Sequence, residues 1–450
     1  MPNTTTRKSD QNIRKQGADA AIEALSELIG EAHSPYHCCL YCRDRLKDSG
    51  FQELKLTEPF AVKPGGRYYI NVYDSTCIAF TVGKDVLPKK SVSRLRMLTA
   101  HTDWPTFLIK PDPEISSDRY GRLNTEPYGG AVYASWLDRP LGIAGKVCLK
   151  GKDPFHPITK LVDSKGPVAV IPGLAIHMNQ KVNDELKLNP QLHMLPLLFL
   201  NKDGESLKDF FLSYLGQLAE ASPDEILDYE ICLYNADDGA YAGIHKELFS
   251  SPRIDNCSGV HAALEAILKA DTKGNQICVS AFYHNEEIGS STKQGADSGL
   301  TMGILERLFE NLGFEKERLY CTISGGLCLS LDVAHAMHPG YPDKNDLTNH
   351  LCLGDGIALK LSARQAYATD SYYVSIIQSL CDEHDIPYAK YVNRSDIRGG
   401  STLGSISSAK LSIPCVDAGV PLLSMHSARE LMACRDQEAL CRLAEALFAE

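Results

Sequence analysis

The sequence predicts an α/β protein whose sheet-and-helix domain is interrupted by a mostly β segment. Three observations carry this. Apolar runs of strand length, such as Ile277–Phe282 and Leu327–Leu331, alternate with stretches whose apolar residues recur at helical spacing. Between residues 112 and 245 that alternation gives way to short β-prone runs broken by glycines. Acids and histidines stand just past several strand ends, where open α/β sheets place their chemistry.

Composition narrows the function. The 450 residues are 44% hydrophobic and 23% charged, enough chain for two or three domains and a sizeable core. A net charge of −11 argues against nucleic acid or an anionic membrane as the main partner. The fifteen cysteines are odd in number and lack disulfide-like spacing, which reads as reduced, mostly buried thiols in a cytoplasmic protein. Met1 to Arg14 is polar, unlike a secretory signal, and no apolar run is long enough to cross a bilayer.

Residues 1–14 read as a frayed tail. Ala21, Ile22, Leu25, Leu28 and Ile29 give the next segment helical spacing, and Ser34-Pro35 starts a second helix in N-cap and first-turn positions. That helix carries Cys39 and Cys42, which lack a second pair at zinc-site spacing and read as buried structural thiols. Strands are predicted over Tyr68–Tyr73, Cys77–Val82 and Arg94–Ala100, the last leading into His101-Thr102-Asp103. Within 112–245 the β-prone runs include Lys146–Leu149 and Val168–Ile171, with one helix over roughly Ser206–Leu218. The α/β texture then returns. Helices are predicted over Val260–Leu268, Leu300–Leu312 and Tyr372–Cys381, and strands over Ile277–Phe282, Leu327–Leu331, Ile357–Leu361 and Tyr388–Val392. Gly399–Thr402 opens a helix N-terminus able to hold an anion, and a last helix runs from about Ala428 to Phe448.

Five potential metal ligands fall at or just past predicted strand ends: His101, Asp255, Glu287, Asp332 and His426. No short spacing ties them together; the expectation is that the strand ends of one parallel sheet bring them to one edge. Histidine and carboxylate without cysteine suit a catalytic zinc, cobalt or manganese site. Two histidines and three acids suit two ions about 3.5–4 Å apart that share a water, with Glu286 free to move its proton. The competing reading is a set of solvated acids and structural histidines.

Taken together, His101-Thr102-Asp103, Tyr128-Gly129-Gly130 with Trp136–Arg139, Ile171-Pro172 with Leu174–His177, Asp255-Asn256, Asn285–Ser290, Asp332–Pro339, Gly400–Thr402 and Met425–Ser427 resemble the aspartyl aminopeptidase family of zinc exopeptidases. The matches run in family order from about residue 15 to residue 435. The resemblance implies an α/β/α zinc-exopeptidase catalytic domain (residues 1–111 and 246–450) with an inserted, mostly β dimerisation domain (112–245). It implies a cytoplasmic two-zinc enzyme that removes N-terminal, preferentially acidic, residues from peptides. His101 and Asp332 would serve one metal, Glu287 and His426 the other, and Asp255 would bridge them. Glu286 would be the general base and Asp103 would orient His101. Lys360, Tyr367, His335 and Ser401 would line the substrate pocket, with Lys360 as counter-charge for an acidic side chain. His177 would enter the neighbouring subunit's site within a dimer-built dodecamer. Where many members read Met-Pro-Cys-Gly-Ser-Thr, this chain has Ile397-Arg398-Gly399-Gly400-Ser401-Thr402, which puts the strict acidic preference in question. The alternatives are a dinuclear-metal aminopeptidase of broad or neutral specificity and a non-catalytic assembly protein with a decayed site.

Overall fold

The computed structural model describes residues 4–88, 94–201 and 209–450, with side chains from residue 17 onward. Helices α1 (Thr4–Glu31) and α2 (Pro35–Asp48) precede strands β1 (Gln52–Glu53), β2 (Arg67–Val72), β3 (Thr76–Val82) and β4 (Arg94–His101). There follow β5 (Thr106–Ser117), β6 (Tyr120–Tyr128), β7 (Leu141–Leu149), β8 (Ile158–Asp163), α3 (Pro190–His193), β9 (Leu197–Leu200), α4 (Phe210–Ala219) and β10 (Ile226–Asn235). After β11 (Ala240–Ala242) and β12 (Leu248–Ser251) come α5 (Ile254–Lys269), β13 (Gln276–Tyr283), α6 (Leu300–Asn311), α7 (Lys316–Ser324), β14 (Leu327–Leu331), β15 (Ala334–His335) and β16 (Ile357–Leu361). The chain continues through α8 (Ser371–Glu383), β17 (Tyr388–Val392), α9 (Leu403–Leu411), β18 (Cys415–Gly419), β19 (Pro421–Leu422), β20 (Glu430–Ala433) and α10 (Cys434–Ala449).

A nine-stranded sheet, ordered β1-β2-β3-β13-β4-β14-β18-β16-β17, organises the molecule. Its centre, β13-β4-β14-β18, is parallel, whereas β3 and β16 join it antiparallel. Both faces are covered, as the unbroken burial of β3 and of β13 after Gln276 requires. Leu98 and Ala100 of β4 pack with α1, α2, α5, α8 and α10 on one face. Leu95 and Met97, out of phase by one residue, pack with α6, α7 and α9 on the other. The result is an α/β/α sandwich.

A six-stranded antiparallel sheet, ordered β8-β7-β10-β5-β6-β9, lies between Thr106 and Asn235. Phe107, Trp136, Phe211, Leu215 and Leu233 form a core of its own. A third sheet, β11-β12-β20, joins residues 240–251 to residues 430–433.

Some elements differ from expectation. The tail expected over 1–14 is helical from Thr4, because no proline or glycine interrupts residues 4–16. Val168–Ile171 makes only isolated bridges, to Leu137, Leu141 and Leu197. The helix expected from Ser206 begins at Phe210 in the structure; residues 202–208 lie outside the described residues. The last helix starts at Cys434 rather than Ala428, since Glu430–Ala433 is claimed as a strand by pairing with β12. Among the described residues no helix is long and apolar enough to cross a membrane.

Candidate active site

Three neighbouring parallel strands deliver one half of the site. His101 ends β4 and lies in register with Tyr283 of β13. The chain leaves β13 through Asn285 at φ 68, forms a single 3₁₀ turn over Glu286–Ile288, and exits through Gly289 at φ 93. Asp332 follows β14 on the other side of β4. The second half does not come from this sheet, contrary to the expected convergence of one sheet's strand ends. Asp255 lies in the kinked first turn of α5 (φ −78, ψ 107), and His426 sits at φ 65 between β19 and β20. The antiparallel pair β12-β20, with Ser251 opposite Glu430, brings Asp255 and His426 to the same end.

Asp255 occupies the middle. Its Oδ1 lies 3.4 Å from His101 Nε2, and its Oδ2 lies 3.4 Å from His426 Nε2. Asp332 Oδ1 stands 3.6 Å and Glu286 Oε2 3.9 Å from His101 Nε2, while Glu287 Oε2 is 3.4 Å from His426 Nε2. All of these exceed ordinary hydrogen-bond lengths. Asp255 Oδ1 and Glu287 Oε1 are buried acceptors with no hydrogen-bond partner. One ligand atom each from His101, Asp255 and Glu287 falls within a 4.8 Å span.

The charge balance points the same way. Asp103, Asp255, Glu286, Glu287, Asp332 and Glu430 crowd this region, and among the described residues Lys360 is the permanent cation that reaches them, 3.3 Å from Asp332. Burial above all raises the Glu286 carboxyl; His101 opposes the rise, Asp332, Asp103 and Asp255 add to it, and the carboxyl is carried up to about 8. Burial and then Asp255 push Glu287 well above the usual range. Burial alone would lower His426, yet Asp255 and Glu287 carry it to about 10. His101 is likewise raised against its burial, by Asp103, Asp255 and Asp332. A pocket of orphaned carboxylate oxygens and imidazole nitrogens that gathers positive charge in this way fits divalent cations.

Further residues hold the centre in shape. Asp103 accepts the N–H groups of Glu286 and Glu287, both at 3.2 Å, and the Tyr128 hydroxyl at 2.6 Å. Its carboxylate is 3.6 Å from His101 Nδ1, whereas its main-chain oxygen is at 3.0 Å. The carbonyl therefore orients the imidazole and the carboxylate grips the Glu286-Glu287 turn. Sequence reasoning missed Glu430, which is buried and accepts the His426 N–H at 2.9 Å and the Asp255 N–H at 3.0 Å. A lone acid opening the apolar run Leu431-Met432-Ala433 is the available signal, masked because that run suits a helix as well as a strand.

A cavity of about 530 Å³ opens on these groups, lined also by Lys360, Tyr367, His335 and Ser401. Lys360 is buried, donates to Val333 O at 3.0 Å and stacks 5.1 Å above the Tyr367 ring. His177 is not brought to this cavity; it is exposed, among the exposed apolar side chains of Leu174, Ile176 and Met178.

Comparison with known proteins follows the same lines. Residues 28–448 match the family described as Aminopeptidase I zinc metalloprotease (M18). The "Probable M18 family aminopeptidase 2" of Clostridium novyi (strain NT) is 41% identical, covering 92% of this chain and 94% of the relative. Its namesake in Pseudomonas putida (strain GB-1) is 35% identical, over 96% of this chain and 98% of the relative. Among solved structures, the cryo-EM structure of the Ape4 and Nbr1 complex superposes with a TM-score of 0.91 at 29% identity, covering 97% of this chain and 86% of that one. The S. cerevesiae mApe1 dodecamer does so with a TM-score of 0.83 at 25% identity, over 96% and 97%.

Proposed function

The chain belongs to the aminopeptidase I zinc metalloprotease (M18) family, and from that membership we propose how its residues divide the work of a zinc aminopeptidase. It is a zinc-dependent metallo-aminopeptidase; the number of ions, the roles of individual residues and the substrate preference are the parts proposed here. The observation that carries the reading is Asp255, whose two oxygens each face a different histidine at 3.4 Å. On this reading Asp255 with His101 and Asp332 would hold one divalent ion, and Asp255 with Glu287 and His426 would hold a second. Zinc is the natural occupant, and the same nitrogen and oxygen donors accept cobalt or manganese.

When bound, the ions polarise the scissile carbonyl and make water acidic enough to supply a nucleophile at neutral pH. The protein's own part is proton management and positioning. Glu286 has an oxygen beside His101 yet is not needed as a ligand, so it takes the proton from the attacking water and returns it to the leaving amine. Its raised carboxyl suits that alternation. Asp103 fixes the turn carrying Glu286, and Glu430 holds the Asp255 and His426 backbones together.

Lys360 at the cavity wall supports a preference for acidic N-terminal residues. A second reading, preference for neutral residues, is favoured by the fact that Lys360 already faces Asp332 and the Val333 carbonyl. A panel of aminoacyl anilides separates them. Faster, chelator-sensitive cleavage of the Asp and Glu substrates is expected; equal rates on Leu and Asp would end the acidic preference. Metal analysis is expected to return two zinc ions per subunit, and near-zero metal with no cleavage would favour a decayed site.

We further propose that residues 112–245 form a dimerisation domain and that the enzyme is a homo-oligomer, a dodecamer by analogy with its relatives. The exposed Leu174, Ile176 and Met178 beside His177 support burial of that loop by a second subunit, where His177 would meet the neighbour's cavity. The fifteen free thiols support a cytoplasmic setting.

A further inference from the structure

The segment Tyr128–Val132 ends β6 of the six-stranded sheet, yet it touches both halves of the metal centre on the other domain. Tyr128 is almost fully buried, with 9% of its surface exposed. Its hydroxyl donates to Asp103 Oδ2 at 2.6 Å and accepts from Asn285 Nδ2 at 3.0 Å. Asn285 is the left-handed residue that starts the Glu286-Glu287 turn, and Asp103 holds that turn's two amides. One phenol thus pins both ends of the device that aims the proposed general base. Two residues on, Gly130 O lies 3.2 Å from His426 Nδ1 and the Val132 N–H donates to His426 O at 3.0 Å. Gly129 sits at φ 69, and a side chain there would come within 3.2 Å of Glu287 Cβ, so the close approach of this loop needs glycine.

From this geometry we infer that Tyr128 is a positioning residue for catalysis and that Tyr128–Val132 is the element through which the second sheet holds the Glu286 turn and His426 in register. The inference rests on the aminopeptidase reading given above. Without the hydroxyl, Asp103 loses its shortest hydrogen bond and Asn285 loses a partner, while the ring and its packing remain. The turn keeps its fold and loses the accuracy of its aim, a loss felt in turnover more than in substrate binding.

The test is Tyr128→Phe in the full-length, zinc-loaded enzyme. We expect kcat to fall about tenfold to a hundredfold with KM within about twofold of wild type, and with zinc content and thermal midpoint unchanged. Asn285→Asp is the second variant. It keeps a residue tolerant of the left-handed backbone and replaces the amide donor by an acceptor that draws the phenol from Asp103, so the same split is expected. If Tyr128→Phe fails to fold, Asn285→Asp carries the test. Wild-type kcat in the folded variants overturns the inference. So does a rise in KM at unchanged kcat, which would make Tyr128 a substrate contact. Loss of zinc together with a large drop in thermal midpoint in both variants would also overturn it, making the network structural only. A wild-type enzyme that cleaves no aminoacyl substrate defeats the parent reading instead.

Discussion

Asp255 offers each imidazole one oxygen of a single carboxylate, so replacing one oxygen does something different from removing the side chain. Asp255→Asn keeps the shape but presents an NH₂ group, a donor with no lone pair for a cation, on one side. The expected outcome is loss of bound metal from at least one position, read by elemental analysis, with activity following it down. Glu286→Gln separates proton transfer from metal binding. It is expected to retain metal and assembly while kcat falls on the order of a hundredfold to ten-thousandfold, and a near-wild-type rate would remove Glu286 as the base. At this scale the sequence was informative about chemistry and silent about support. His101, Asp255, Glu287, Asp332 and His426 stand out in the sequence because they fall at or just past predicted strand ends, where open α/β sheets place their chemistry. Glu430 is as close to the centre, but its role is to accept two backbone amides, and backbone partners leave no trace in a string of side chains.

Elements with strong local signals lay where the pattern put them. Ser34-Pro35 caps α2 as its residue types require: Pro35 holds the first helical position and the Ser34 hydroxyl accepts the His37 N–H at 3.3 Å. Ser34→Ala is expected to cost about 1 kcal/mol, seen as a lowered thermal midpoint with unchanged kinetics. The strand Ile357–Leu361 and the helix Leu300–Asn311 likewise follow from their own apolar spacing. Where structure depends on distant pairing, local pattern failed. Glu430–Ala433 has residues that suit a helix, and β12, nearly two hundred residues earlier, makes it a strand. The long β5-β6 hairpin was also hidden, because Pro111 and Pro113 interrupt the pattern at an irregularity in the pairing.

Over the whole molecule, two tests probe how the parts are joined. Zinc held by the proposed ligands would neutralise the crowded acids of the folded protein, so chelation is expected to lower the thermal midpoint by several degrees and zinc to restore it; at a hundredfold excess over Kd the linkage is worth about 2.7 kcal/mol. The six-stranded sheet also meets the helical layer through Asp163 of β8, which lies 2.7 Å from His33 Nδ1 beyond α1 and accepts the Tyr234 hydroxyl at 3.0 Å. Burial opposes ionisation there, yet His33, the Lys165 amide and Tyr234 hold the Asp163 carboxyl down to about 2. A carboxyl lower in the folded than in the unfolded chain stabilises at pH above about 4 and loses that effect as pH falls toward 2. Asp163→Asn is therefore expected to lower the midpoint clearly at pH 7 and hardly at all near pH 2. The sequence showed that two textures alternate along the chain; how one grips the other needed coordinates, because the grip is made of single side chains far apart in sequence.

The centre draws on segments reaching from residue 101 to residue 426, with Asp255 useless until the strand after His426 lies down beside β12. On the proposed assignment a chain still growing on the ribosome would have no peptidase activity to turn on its neighbours until nearly all of it had been made. Any fragment cut short of that histidine would be inert for the same reason.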